Sequence, residues 1–173
     1  MHCKGLELSG CDPRRAEGQA LWSAIGLQAQ SHDCYPCWVL DMHSSPDVSI
    51  SNQEIEDLTA IFESLMICDL MGGCFQDFLS EAAHLYALVT GIEVNPAELK
   101  QTGERINNLK KAFNIREGWR RADDWLPPRL FEEVRASGKT AGKALSEKKI
   151  QTMIDDYYRA RGWTAKGLVP VEK

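Results

Sequence analysis

Residues 55–75 read IEDLTAIFESLMICDLMGGCF, and this stretch decides the fold class. Its first half repeats apolar residues at helical spacing, which predicts a helix with one buried face. The pair Gly72-Gly73 follows, and because glycine adopts positive φ readily, we expect the helix to end there in a left-handed cap. This turn would let Asp69 and Cys74 face one site. A carboxylate can accept N–H bonds from a flat heterocycle, and a thiolate can bind iron in an Fe–S cluster.

Helical signals continue on both sides of this stretch. Asp12-Pro13 predicts the start of a first helix that runs to about residue 28, and Ser51 or Asn52 is the expected cap of the central one. Gly91 is the expected stop of the helix that follows Cys74. Asn95-Pro96 with Glu98 predicts another helix start, and Ser146 caps the last helix.

Each of these later helices shows an apolar face. The residues expected to point inward are Phe75, Phe78, Leu79, Ala82, Tyr86 and Val89, then Leu99, Ile106, Leu109 and Phe113, then Ile150, Met153, Ile154, Tyr157 and Tyr158. Strand signal is confined to Leu6-Glu7-Leu8. The sequence therefore predicts an all-α, multihelical, bundle-like region over residues 1–173, which forms either one domain or two small helical lobes at about 1–92 and 93–173.

Composition excludes several classes of protein. The 173 residues carry 20 Lys and Arg against 25 Asp and Glu, and no basic stripe indicates a nucleic-acid binder. No apolar run approaches the ~20 residues of a membrane span, and the N-terminus does not resemble a secretory signal. We therefore expect a cytoplasmic protein whose six cysteines are reduced. Three of them are expected to be buried: Cys3, Cys11 and Cys68.

A second candidate site lies between His32 and His43. This stretch contains Cys34 and Cys37 in a CxxC spacing, with Asp41 nearby, and Cys and His at short spacings are typical zinc ligands. A small zinc-binding helical domain is therefore one alternative function. His32 by itself is a candidate proton donor or acceptor near neutral pH.

The charged run over residues 116–124 is expected to pair its charges internally and hold an irregular segment against the helices.

Taken together, segments along nearly the whole chain resemble, in order, the motifs of the tungsten-containing aldehyde ferredoxin oxidoreductase family. His2–Glu7 with Asp12-Pro13-Arg14 resembles H-x-K-G-x-E with D-P-R, and Asp69–Cys74 resembles D-x-x-G-L-C. Four further segments match. Gly103–Leu109 resembles G-E-R-I-x-x-L, and Ala112–Gly118 resembles F-N-x-R-E-G. Asp123–Pro127 resembles D-D-x-L-P, and Tyr157–Trp163 resembles Y-Y-x-x-R-G-W.

The resemblance implies an activity and a set of cofactors. Enzymes of this family oxidise aldehydes to carboxylic acids at a tungsten held by two molybdopterin-type pterins, and a [4Fe–4S] cluster passes the electrons to ferredoxin. By position, Asp69 would bind a pterin on a turn made by Gly72 and Gly73. Cys74 would supply one cluster thiolate. His32 would lie near the metal as a proton partner.

The sequence also departs from the family pattern. It contains no C-x-x-C-x-x-x-C segment for the other three cluster thiolates, and it lacks the N-terminal β-rich pterin cradle. Gly73 replaces a leucine, and Gln28-Ala29-Gln30-Ser31 replaces R-G-A-C before His32. We therefore expect the chain to be inactive alone and to need the missing N-terminal portion or a partner subunit. The remaining alternative is a non-catalytic helical remnant or interaction module.

Overall fold

The computed structural model describes residues 2–8, 12–15, 17–27, 48–137 and 141–170. Within these ranges the helices are α1 (Glu17–Ile25), α2 (Val48–Ser64), α3 (Phe78–Thr90), α4 (Pro96–Arg116), α5 (Arg129–Glu132) and α6 (Glu147–Ala160). Three 3₁₀ segments cover Pro13–Arg15, Asp69–Cys74 and Arg121–Asp123. A short antiparallel hairpin pairs β1 (His2–Cys3) with β2 (Leu6–Glu7), with His2 opposite Glu7. The all-α prediction is confirmed.

Two apolar clusters hold these helices together. The larger one joins α1, α5 and α6 with the segments that flank α5 and follow α6; its buried members are Ala20, Leu21, Ala24, Ile25, Leu126, Leu130, Ile150, Met153, Ile154, Tyr157, Tyr158 and Trp163. The smaller one joins α2, α3 and α4 through Ile61, Ala82, Ala83 and Leu99. The division into lobes at about residue 92 stays a prediction. No helix in the described ranges is both long and apolar enough to cross a bilayer.

The capping predictions are confirmed where the signal is local. Asn95 and Glu98 form a reciprocal box at the start of α4, because the Glu98 amide donates to Asn95 Oδ1 at 3.0 Å and the Asn95 amide donates to Glu98 Oε2 at 2.8 Å. Gly91 ends α3 in the left-handed region at φ 72°. Ser146 accepts from the Lys149 amide at the start of α6. All five residues expected to point inward from α6 are buried.

Other boundaries differ from the sequence prediction. Asp12-Pro13 opens a 3₁₀ turn over Pro13–Arg15, and α1 begins only at Glu17. The central helix α2 begins at Val48, before the expected cap. It ends at Ser64, because the Met66 amide donates to the Glu63 carbonyl at 3.1 Å and the Ile67 amide to the Phe62 carbonyl at 2.9 Å. These two bonds form a Schellman motif, and Met66 takes the left-handed position at φ 58°.

The apolar face predicted for α4 is wrong in its second half. Leu109 is 72% exposed and Phe113 is 52% exposed. The helix instead buries a polar face, formed by Gly103, Asn107, Asn108 and Lys111 together with Leu99. Val89 on α3 was also expected to be inside, and it is 84% exposed. The buried face of α4 is polar because its side chains meet buried partners from distant parts of the chain.

One buried polar network joins α2, α4 and α6. Arg161, just after α6, is fully buried and donates from Nη1 to Asp57 Oδ1 at 2.5 Å and from Nη2 to Glu56 Oε2 at 2.6 Å. Asn107 Nδ2 donates to the same Asp57 oxygen at 2.8 Å, and the Tyr157 hydroxyl donates to Glu56. Burial raises the pKa of both carboxyls, while the Arg161 charge opposes that rise.

A second network is centred on Asp124, which follows the Arg121–Asp123 turn. Its fully buried carboxylate pairs with Lys111 of α4 at 2.5 Å and with Lys4 of the hairpin loop at 3.3 Å. The Tyr158 hydroxyl donates to the same carboxylate. Lys4 also donates to the Gly26 carbonyl at 3.0 Å, so the hairpin, α1, α4 and α6 meet at one point. Burial lowers the pKa of Lys4, and the charge of Asp124 opposes this shift.

Candidate functional site

The segment Asp69–Cys74 connects α2 to α3 as a 3₁₀ helix. The Met71 amide donates to the Cys68 carbonyl at 2.8 Å, and the Phe75 amide donates to the Gly72 carbonyl at 3.4 Å. The short connection therefore has regular, hydrogen-bonded backbone along its length. Gly72 is partly buried, and Gly73 and Cys74 are exposed.

The expected role of the glycine pair is wrong. Neither Gly72 nor Gly73 has positive φ, and the left-handed residue is Met66, upstream of them. The helix has already ended in its Schellman motif before the glycines begin, so they do not form its cap. A Cβ atom at position 73 would also meet no atom within 4 Å. The first carbon of the leucine that the D-x-x-G-L-C motif carries at that position would therefore meet no clash.

Cys74 lies at the exposed end of the segment with a free thiol. The next residue, Phe75, is packed edge-on against Phe62 of α2 and Phe78 of α3, with ring centroids 6.0 Å and 5.2 Å apart. Phe62 and Phe78 are themselves stacked, with centroids 3.7 Å apart. These three rings anchor the backbone next to the thiol to two helices. Phe75 and Phe78 belong to the apolar face predicted after Cys74, but the pattern did not indicate that the rings pack on one another beside the thiol. The sequence feature that could have indicated this packing is the aromatic residue directly after the motif cysteine.

The other cysteines divide between core and surface. Cys3 is buried, as predicted, and its thiol donates to the carbonyl oxygens of Ser23 and Trp125, both at 3.1 Å. Burial raises the pKa of this thiol, so Cys3 is a packing residue. Cys68 was predicted to be buried and is exposed, because the residue lies outside α2 at the start of the 3₁₀ segment.

Several candidate residues lie outside the described ranges. They are His32, Cys34, Cys37, Asp41, His43 and Cys11. Their proposed catalytic, zinc-binding and packing roles stay predictions. The backbone of Asp69 belongs to the 3₁₀ segment, and its contact with a pterin also stays a prediction.

The donor set around Cys74 bears on whether an iron–sulfur cluster fits. A [4Fe–4S] cluster takes about four thiolates. Across the part of the chain that the structure describes, no three His, Cys, Asp or Glu side chains come together as a metal site. The exposed Cys74 thiol fits the role of one ligand, and the other ligands have to come from elsewhere in a complete site.

The charged run over residues 116–124 holds its segment mainly through distant partners. Arg116 pairs with Glu117 at 3.2 Å, as expected of an internal pair. Arg121, however, reaches Asp155 of α6 at 2.7 Å, and Asp124 is the buried centre of the second network. The run thus fixes the irregular segment to the helices, and its role is structural.

Comparison with known proteins places this geometry in a family. A family model described as "aldehyde ferredoxin oxidoreductase, domains 2 & 3" matches residues 1–173. The chain belongs to the aldehyde ferredoxin oxidoreductase family. It is 32% identical to the tungsten-containing aldehyde ferredoxin oxidoreductase of Pyrococcus furiosus and 30% identical to that of Thermococcus kodakarensis. Both matches cover 100% of this chain and 30% of the relative, so the chain spans about a third of the length of these family members.

Most motifs that carry the family resemblance build the buried networks. The Y-Y-x-x-R-G-W segment supplies Tyr157, Tyr158 and Arg161, and its Trp163 indole donates to Asn108 of the G-E-R-I segment at 2.7 Å. Gly103 of that segment allows a close helix approach, because a Cβ there would lie 2.3 Å from the Asp57 carbonyl oxygen. These motifs therefore maintain the family fold, whereas Gly73 and Cys74 at the end of the Asp69–Cys74 segment are exposed.

Proposed function

We propose that this chain is the C-terminal, ligand-bearing part of a tungsten- and pterin-dependent aldehyde ferredoxin oxidoreductase. In this proposal Cys74 supplies one thiolate of a [4Fe–4S] cluster, and Asp69 accepts N–H hydrogen bonds from a pterin. His32 holds or releases a proton near the metal. The observation that carries the proposal is the exposed Cys74 thiol, at the motif position, in a chain matched to the family over its whole length.

The described residues support a positioning role for the segment. When bound, the tungsten–pterin group supplies the oxidation chemistry and the cluster supplies the electron path. The chain contributes fixed geometry: Asp69 and Cys74 lie five positions apart along the sequence, and the rings of Phe62, Phe75 and Phe78 hold the cysteine end. A short 3₁₀ link between the two ligands would keep the distance from pterin to cluster constant.

The complete enzyme needs more protein than this chain spans. The remaining cluster thiolates and the pterin cradle are assigned to the part of the family polypeptide without a counterpart here. The proposal makes ferredoxin the electron acceptor, an aldehyde the substrate and the cytoplasm the location, where thiols stay reduced. By itself, the chain is expected to show no aldehyde oxidation.

Reconstitution tests this function. The chain is co-produced with the part of the Pyrococcus furiosus relative that it does not match, with tungstate and iron supplied, and aldehyde-dependent reduction of ferredoxin is measured. We expect activity in the complex, none in the isolated chain, and a loss of at least 100-fold in Cys74→Ser and Asp69→Ala. Cys68→Ser is the matched control, since this thiol is exposed in the same connection but is not at the motif position. Full activity in Cys74→Ser would overturn the proposal.

A further inference from the structure

Exposed apolar surface is concentrated on one stretch of the chain. Of the eleven large hydrophobic side chains exposed in the described residues, six lie between Met66 and Ile92. Three of them lie at positions i, i+3 and i+4 along the last turns of α3, and a fourth follows the Gly91 cap: Leu85 is 47% exposed, Leu88 68%, Val89 84% and Ile92 55%. We call these four residues the α3 stripe. A contiguous apolar patch of this kind marks an interaction surface more often than an isolated exposed leucine does.

The α3 stripe lies at the end of the helix that follows Cys74. The helix begins at Phe78, and at 1.5 Å per residue Val89 lies roughly 16 Å further along its axis. Met71, three residues before the cysteine, is another exposed apolar side chain, at 48%. A partner that supplies ligands near Cys74 and extends along α3 would therefore also cover the stripe.

The charge around the stripe selects among partners. Residues 16–99 contain 13 Asp and Glu and no Lys or Arg, although the whole chain has 20 Lys and Arg. Three exposed acidic residues lie along the same stretch: Asp77 at the start of α3, Glu81 on it and Glu93 just after its Gly91 cap. Two copies of this surface would repel each other, and an anionic membrane surface would repel it as well. A standard protein interface buries roughly 800 Å² of surface on each partner, and the four aliphatic side chains of the stripe provide only part of that area.

We propose that the α3 stripe is the docking surface for the part of the family polypeptide that this chain does not span, through apolar side chains bordered by Lys and Arg. This inference rests on the proposed function, because that polypeptide is also the assigned source of the other cluster thiolates. The same contact then buries the stripe and brings those thiolates to Cys74. The length argues for this occupant too, since about 70% of each relative lies outside the match.

The test measures binding of the unmatched part of the Pyrococcus furiosus relative to this chain by titration calorimetry. Leu88→Glu with Val89→Glu should weaken binding at least 100-fold. Val134→Glu with Leu168→Glu is the matched control, since both residues are exposed aliphatics outside the stripe, and it should bind as the unaltered chain does. Glu81→Gln with Glu93→Gln should weaken binding several-fold at low salt and have little effect at high salt. Circular dichroism checks that each variant is folded.

Each outcome separates the docking surface from the proposed function. Unchanged binding of the stripe variant, or no binding by the unaltered chain, overturns the docking surface. A dimer of the isolated chain that the stripe variant dissociates also overturns it, in favour of a second copy. If the stripe controls binding but Cys74→Ser keeps the cluster absorbance of the complex, the docking surface stands and the cluster role of Cys74 fails.

Discussion

Replacing Arg161 with glutamine should destabilise the fold more than any surface change. The side chain is fully buried between Glu56 and Asp57, whose side chains are 3% and 7% exposed. Among the described residues of this network, Arg161 carries the only positive charge that offsets the two buried carboxylates. Arg161→Gln removes that charge. Breaking a buried ion pair by removing one partner costs about 3–5 kcal/mol. For a chain of this size that corresponds to a fall of roughly 6–20 °C in Tm.

The pH dependence gives this prediction a distinct signature. Burial raises the folded-state pKa of Glu56 and Asp57 above the unfolded values, so the folded state holds more protons and stability falls as the pH rises through the folded-state pKa. Without the guanidinium both pKa values rise further. The difference in free energy of unfolding between Arg161→Gln and the unaltered chain should therefore be largest near pH 7 and shrink towards pH 5.

Urea unfolding followed by circular dichroism measures this difference at both pH values. Arg159→Gln is the matched control, because Arg159 is 77% exposed and pairs only with Asp156 across one helical turn in the described structure. Its effect should stay below about 0.5 kcal/mol. A loss below about 1 kcal/mol in Arg161→Gln, or a loss that is the same at pH 5 and pH 7, would refute the reasoning.

Three further changes test the packing. Gly103→Ala should lower the free energy of unfolding by about 1–3 kcal/mol, because its Cβ would lie 2.3 Å from the Asp57 carbonyl oxygen. Gly73→Ala should raise it by about 0.4–1 kcal/mol, since its φ is not positive and the added methyl group meets nothing within 4 Å. Asp124→Asn should lower it by about 3–5 kcal/mol, because Lys111 then loses its buried counter-charge. Urea unfolding measures all three changes. Equal effects of Gly103→Ala and Gly73→Ala would contradict the two glycine predictions. An unchanged urea midpoint in Asp124→Asn would contradict the third.

Local signals in the sequence predicted the helix ends well. The Asn95 box and the Gly91 cap depend on residues three to five positions apart, so the sequence contains the whole interaction. The last helix was predicted correctly because its face is apolar throughout. By contrast, Met66 takes a left-handed conformation that is rare for a side chain of its kind, and the neighbouring glycines gave a stronger but misleading signal.

Contacts between distant residues were beyond the sequence pattern. The buried face of α4 is polar because Asn107 meets Asp57, 50 residues away, and Asn108 meets Trp163, 55 residues away. An apolar-periodicity argument therefore selected Leu109 and Phe113, which are exposed. For the candidate site, the sequence identified Cys74 through its motif. It predicted the apolar faces that contain Phe62, Phe75 and Phe78, but not the packing of their rings beside Cys74, since that packing depends on how α2 and α3 meet.

Iron content of the reconstituted complex tests the central claim most directly. The chain is combined with the unmatched part of the Pyrococcus furiosus relative, and iron is measured per complex together with the low-temperature electron paramagnetic resonance of the reduced sample. We expect about four iron atoms per complex in the unaltered and Cys68→Ser forms, and loss or conversion of the cluster in Cys74→Ser. A full complement of iron with an unchanged signal in Cys74→Ser would contradict the role of Cys74 as a cluster ligand.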